Sequence, residues 1–175
     1  MTDGERSTVE SATVDDVDDV TDLWVALAED QRSHGSTLLA ESNRAAVREW
    51  VARSVVTGEL LVARDGDGGP VGFVGFSIDR EGYERDRVRG TVSNLFVVAE
   101  RRGEGIGADL LDAAERALAA AGAETVALEA LADNDRARAF YDGRGYDLHR
   151  VELTKSVSKR VDDESDAGGA AGGTE

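Results

Sequence analysis

The sequence predicts an α+β domain, a mixed and mostly antiparallel sheet with helices on both faces. Three observations predict it. Strand-like and helix-like apolar spacings alternate along the chain. A dense turn signal, Asp65-Gly66-Asp67-Gly68-Gly69-Pro70, joins two strand-like runs into a hairpin. A β-α-β pattern then follows the antiparallel strands rather than preceding them. The 175 residues suit one domain, and 41% hydrophobic residues are enough to bury a core.

The elements follow in order. Residues 9–13 read as a short strand. Asp15 or Asp16 opens a helix whose apolar face is Val17, Val20, Leu23, Trp24 and Leu27, with acids at its positive dipole end. After a loop through Ser33-His34-Gly35-Ser36, Asn43 is placed to cap a second helix carrying Ala46, Val47, Trp50, Val51 and Val55, which Gly58 ends. Strands are expected over 59–64 and 71–78, and Gly72 and Gly75 in the latter imply a close neighbour or a bulge. The next strand covers 88–98. A glycine-rich turn leads to a helix with Ile106, Leu110, Leu111, Ala114 and Leu118 on one face, stopped by Gly122. A strand over 126–131, a helix from Asn134 or Asp135 through Tyr141, and one or two final strands over 146–157 complete the order. The domain spans 7–158. Residues 1–6 and the acidic, glycine-rich 159–175 have too little apolar content to offset their ordering entropy and read as disordered ends.

Composition excludes several classes of function. The chain has no cysteine, which removes disulfides, thiolate metal sites and a cysteine nucleophile. A net charge of -16 argues against nucleic acid as a partner, since no basic patch is present to neutralise phosphates. No apolar run can span a bilayer and no secretory h-region opens the chain, so a cytoplasmic protein without a membrane partner is expected. Lys155 and Lys159 are the only lysines. That bias suits a halophile's salt-adapted surface, and an acidic cleft for a cationic substrate is the alternative.

The turn Arg101-Arg102-Gly103-Glu104-Gly105-Ile106-Gly107-Ala108 carries the chemistry. Alternate glycines let a backbone approach a ligand, and the following helix offers free N–H groups and its positive dipole end. Together they form an anion site suited to a phosphate or pyrophosphate, with two arginines adding charge at its rim. Gly103-x-Gly105-x-x-Ala108 also satisfies a dinucleotide fingerprint, with Glu129 as ribose ligand. Against this, the antiparallel strands come first and too little chain follows for a second mononucleotide half.

Arg102-x-x-Gly105-x-Gly107 directly after Leu95-Phe96-Val97-Val98 resembles the signature of the GCN5-related N-acetyltransferase (GNAT) superfamily. The proline and acid that usually end the family's strand are replaced by Ala99-Glu100. A second block is also similar to the family: Leu128-Glu129-Ala130-Leu131-Ala132-Asp133-Asn134, then Arg138-Ala139-Phe140-Tyr141 and Gly145-Tyr146. The resemblance covers about residues 7–158, and its specific part is 94–146.

The resemblance implies a fourth strand splayed from the fifth at residues 94–98, with the pantetheine of acetyl-CoA paired to backbone at Phe96, Val97 and Val98. Arg102, Gly103, Glu104, Gly105, Ile106, Gly107 and Ala108 would hold the pyrophosphate. Tyr141 would be the general acid that protonates the thiolate and would also touch the cofactor. Asn134 would contact the pantetheine arm, cap a helix, or both. Glu129 would be the base that deprotonates the amine, directly or through water, with Ser93 and Asn94 as further water-placing groups. His34 and His149 have no metal-like partners in the sequence, no metal is required, and the helix–helix loop around His34, near Trp24, Asp30, Gln31 and Trp50, is the candidate acceptor region. The implied activity is direct acetyl transfer from acetyl-CoA to a primary amine of a small molecule or a protein N-terminus. A non-catalytic acyl-CoA-binding module is the alternative, and a homodimer is compatible with either.

Overall fold

The computed structural model describes residues 7–157, apart from 67 and 81. The ends expected to be disordered, 1–6 and 159–175, lie outside the described residues. Elements follow the order β1 (Thr8–Ser11), α1 (Val17–Arg32), α2 (Arg44–Thr57), β2 (Leu60–Arg64), β3 (Pro70–Ile78), β4 (Arg89–Val97), α3 (Ile106–Ala120), β5 (Thr125–Leu128) and α4 (Asp135–Asp142). The sheet order is β1-β2-β3-β4-β5, antiparallel except for the parallel β4–β5 pair. The fold is thus the mixed, mostly antiparallel α+β sheet that the sequence predicts.

Period-two alternation divides the core into two layers. Leu60, Val62, Phe73 and Phe96 face α1 and α2 and pack with Val20, Leu27, Ala28 and Val51. Ala63, Val74, Phe76, Val92 and Val97 face the other way, against Ile106, Leu110, Leu111, Ala114 and Leu118 of α3. Each fully buried leucine of α3 stabilises the fold by roughly 2 kcal/mol. Glycines in the sheet make room for neighbours: a Cβ at Gly72 would meet the Phe96 carbonyl at 2.7 Å, and one at Gly75 the Trp50 ring at 2.8 Å.

Asp16 is 3% exposed. Its carboxylate accepts from the Thr13 N–H at 2.7 Å and from Arg64 at 2.6 Å, and Arg64 also pairs with Glu10. Burial pushes the Asp16 carboxyl up, but the bonds from Arg64 and Thr13 outweigh it and hold the group below the ordinary 3.8.

Four expectations change. Asn43 precedes α2 but does not cap it with its side chain, because it ends the 3₁₀ turn Glu41–Asn43 in helical rather than extended backbone; its Nδ2 donates to the Leu39 carbonyl at 2.6 Å. Ala46 is exposed rather than core. The fifth strand ends at Leu128, not at 131, so Glu129, Ala130 and Leu131 belong to the loop before α4. No strand forms over 146–157, where residues 147–157 are exposed and carry no regular structure. Among the described residues no helix is long and apolar enough to cross a membrane.

Candidate active site

The site begins where the ladder between β4 and β5 stops. The pairs run from Arg89–Thr125 to Val92–Leu128 and no further, so the β4 backbone from Asn94 to Val97 pairs only with β3. A bulge marks the same point: Gly75 lies opposite Asn94 and Phe76 opposite Val92, leaving Ser93 as the extra residue. Bulges bend a strand and raise its twist, which turns β4 away from its parallel neighbour. Phe96 faces α1 and α2 while Leu95 and Val97 face α3, so alternation puts Asn94 on the Phe96 side.

Val98 donates to the Val71 carbonyl at 2.9 Å, and a short 3₁₀ turn over Ala99–Arg101 leads into the glycine segment. Gly103 and Gly105 have φ of 83° and 88°, and no protein atom comes within 4 Å of a Cβ built on either. Only glycine adopts that conformation cheaply, and the space beside both is open. Asp109 makes the first intrahelical bond of α3, to Gly105 at 3.0 Å. The N–H groups of Ile106, Gly107 and Ala108 therefore lack helical acceptors and sit at the positive dipole end. This cradle can take a pyrophosphate on backbone alone.

The arginines do not serve as free rim charges. Arg101 pairs with Asp65 and, at 2.7 Å, with Glu104. Arg102 donates through Nε to the Val97 carbonyl at 2.9 Å, lies 5.3 Å from the Phe96 ring centroid, and reaches Asp30 of α1 at 3.5 Å. Arg102 thus ties the end of β4 to the turn and to α1. The sequence could not show these partners, which lie close in space but, for Asp30, far along the chain.

Helix α4 closes one side. Asn134 caps it, its Oδ1 accepting from the Ala137 N–H at 3.0 Å, and among the described residues its amide NH2 has no acceptor. Phe140 packs near Gly107, where an added Cβ would find Val97 at 3.8 Å and Phe140 at 3.9 Å. Arg144, unremarked in the sequence, joins α4 to the start of α3 through the Ala108 carbonyl at 3.3 Å and through Asp112. Tyr141 is half-buried, 5.3 Å from Phe140 and 5.8 Å from Tyr146 between ring centroids. Burial pushes the Tyr141 phenol above its ordinary 10.0. Tyr146 donates its hydroxyl to Glu115 at 2.6 Å.

Glu129 is exposed immediately after β5, and among the described residues no hydrogen bond links it to Tyr141. The α1–α2 loop approaches the β5–α4 loop, where a Cβ at Gly35 would lie 3.7 Å from the Asp133 carboxylate. Trp50 borders the bulge: a Cβ at Gly75 would meet both its ring and the Ser93 hydroxyl. His149 lies in the exposed segment after α4, away from any regular element. Two surface hollows, about 330 and 280 Å³, are lined by other residues, one by Asp79, Tyr83, Arg85, Arg87 and Glu124 among others, and the other by Ser7, Val9, Asp109, Asp112 and Arg116.

Residues 17–146 match the model of the acetyltransferase (GNAT) family. The chain belongs to that family. No curated protein sequence matches it. Among solved structures, it is similar to a GCN5-related N-acetyltransferase from Ralstonia eutropha JMP134, with 23% identity and a TM-score of 0.69 over 86% of this chain and 98% of that one. A transcriptional regulator from Bacillus halodurans C-125 has 18% identity and a TM-score of 0.68, over 87% of this chain and all of that one. The NatC complex bound to Gag peptide and CoA has 18% identity and a TM-score of 0.65, over 83% and 87%. At these identities the likeness is one of fold.

Proposed function

We propose that this acetyltransferase moves an acetyl group from acetyl-CoA to a primary amine by direct attack in a ternary complex. The observation that carries the reading is the end of the β4–β5 ladder at Val92–Leu128 beside a turn with unbonded N–H groups. The fit to the donor is chemical. Within the β4 segment Phe96–Val98, the Val98 N–H is bonded to Val71 and the Val97 carbonyl to Arg102, so alternation leaves the Val97 N–H to pair with pantetheine. The backbone of Gly103, Glu104, Gly105, Ile106, Gly107 and Ala108 can hold the pyrophosphate. Arg102 acts as a positioning residue for both through the Val97 carbonyl. The NH2 of Asn134 suits a carbonyl of the arm.

In the reaction the amine nitrogen attacks the thioester carbon. A β4 N–H near Phe96 stabilises the oxyanion, the C–S bond breaks, and Tyr141 gives its proton to the departing thiolate. A phenol held above 10.0 remains protonated at neutral pH, as an acid requires. The amine's proton leaves to Glu129, whose exposure favours transfer through water. The mechanism needs no covalent enzyme intermediate and no metal, and holding both substrates together accounts for much of the acceleration.

The acceptor is read as a small amine or a protein N-terminus. A CoA- and peptide-bound relative in fold supports that class. The closeness of Gly35 to Asp133 supports the α1–α2 loop as the region that chooses it. The acidic surface is read as salt adaptation of a cytoplasmic halophilic protein. Incubation with acetyl-CoA and a panel of amines and peptides at several molar salt tests the reading through amine-dependent CoA release. CoA binding without turnover on any acceptor favours a non-catalytic binding module.

A further inference from the structure

Tyr141 supplies the proton in the proposed reaction, yet among the described residues no hydrogen bond fixes its hydroxyl. Its ring is held by packing. Phe140 stands edge-on at 5.3 Å and Tyr146 at 5.8 Å, with 67° between the Tyr141 and Tyr146 planes. Phe140 is the preceding residue of the same helix. Tyr146 is the partner that comes from outside α4.

The end of α4 explains how Tyr146 comes to lie there. Gly145 has a φ of 85°. Its N–H donates to the Asp142 carbonyl at 3.1 Å, and the Tyr146 N–H donates to the Tyr141 carbonyl at 3.1 Å. These bonds around a left-handed glycine make a Schellman motif, which brings the residue after the glycine against the last helical turn. The backbone thus sets Tyr146 on Tyr141. At the far end of the Tyr146 ring, the hydroxyl donates to Glu115 of α3 at 2.6 Å. Tyr146 is therefore fixed at both ends, and its ring packs against the α3-side core with Phe140 and Tyr141. Burial and the Glu115 carboxylate push its phenol well above the ordinary 10.0, so it stays a donor to Glu115. Arg144, from the same turn, ties α4 to α3 separately, through Asp112 and the Ala108 carbonyl. Docking of the helix does not depend on the Tyr146–Glu115 bond alone, which leaves that bond a different task.

We infer that the Tyr146–Glu115 pair positions the phenol of Tyr141 for proton transfer to the departing thiolate, a role that rests on the reading of Tyr141 as the acid. Tyr146 is a positioning residue, and Glu115 acts through it. A hydroxyl that must meet a developing thiolate tolerates little error, since a misplacement of about 1 Å can cost ~100-fold in rate. Cutting the bond leaves the Tyr146 ring held at its backbone alone, and the wall against which Tyr141 rests can swing. Neither residue belongs to the turn that would hold the pyrophosphate, so the pair governs the chemical step and not donor affinity.

Full-length variants are assayed at several molar salt with acetyl-CoA and hydroxylamine, a nucleophile small enough to need no acceptor pocket. Thiol release above the uncatalysed rate gives kcat, and calorimetry gives the Kd of CoA. Tyr146→Phe keeps the ring and Glu115→Ala keeps the tyrosine. Each is expected to lower kcat ~5- to ~10-fold, short of the loss when an acid is removed outright, with the Kd unchanged. Glu115→Gln keeps an acceptor for the hydroxyl and retains most of the rate. In a Tyr141→Phe background neither substitution lowers the rate further. The chain's three tyrosines give a readout free of turnover. With ring-labelled tyrosine, the Tyr141 resonance moves toward that of Tyr83, which is 97% exposed, in Glu115→Ala and stays in place in Glu115→Gln. An unchanged kcat in Tyr146→Phe overturns the pair's role. So does a loss that persists in full in the Tyr141→Phe background, and so does a weakened CoA affinity in place of a lowered kcat. Tyr141→Phe turning over at the wild-type rate is a separate failure, that of the acid itself, and removes the pair's role with it.

Discussion

At one end of the sheet, Arg64 of β2 binds the buried Asp16 and the β1 residue Glu10, and the strands are held by side chains as well as backbone. At the other end, β4 and β5 pair as far as Val92 and Leu128 and then stop. At the first end β1 is paired with β2 along its whole length and pinned to it by side chains. The second leaves a strand edge, a set of helix N–H groups and two neighbouring loops open. The difference shows a division of labour: a pinned end fixes the frame, and the open end exposes backbone for a ligand without the frame loosening.

Breaking the pinned end has the largest expected effect. Asp16→Asn leaves Arg64 without its buried partner and lowers unfolding free energy by about 3 kcal/mol, measured by denaturant titration at neutral pH. The pH dependence has a definite sign. The Asp16 carboxyl is held below 3.8, so its contribution is present above that value and is lost as pH falls through the lower, folded-state value. The wild type should therefore lose stability on acidification more steeply than Asp16→Asn.

At the open end, Tyr141→Phe should reduce turnover by ~10- to ~100-fold, within the range for lost acid catalysis, while CoA affinity measured by calorimetry holds. The phenol, held above its ordinary 10.0, stays protonated around neutral pH, so its ionisation costs no rate there. Unchanged turnover would remove Tyr141 from the mechanism.

A smaller effect should follow from Gly105→Ala. The left-handed conformation costs an L-residue about 1–2 kcal/mol, so melting temperature falls and CoA affinity drops roughly 10-fold as the turn relaxes. Gly107→Ala is the matched control. It has no positive φ, and its Cβ meets only ordinary contacts at 3.8 and 3.9 Å. Stability should change by less than about 0.5 kcal/mol, with CoA affinity nearly unaltered. Equal losses in the two variants would mean that the glycines serve ligand approach rather than backbone conformation.

The fold was legible wherever local chemistry determines it. Leu60 to Ala63 alternate between the two core layers, Gly58 ends α2 in the left-handed region, and Gly103 and Gly105 mark the turn by the backbone they permit. The glycine turn was legible for the same reason, because left-handed backbone leaves a glycine pattern. Partners distant in sequence were not legible. Arg102 looked like a rim charge, yet Val97, Phe96 and Asp30 occupy its guanidinium. Glu129 looked like a strand residue because apolar Ala130 and Leu131 follow it, but β5 ends at Leu128 where the sheet edge ceases to support it. Residues 146–157 have strand-like spacing but pair with no strand among the described residues, and apolar period alone cannot supply one. The acceptor loops are read through exposed side chains, whose pattern carries no comparable constraint.

The central claim is tested most directly by CoA release from acetyl-CoA, followed with a thiol reagent across a panel of amines and peptide N-termini at several molar salt. The cysteine-free chain contributes no thiol of its own, so the signal reports released CoA alone. The account predicts release that depends on a primary amine and falls in Tyr141→Phe. A protein that fails to bind CoA at all would contradict it.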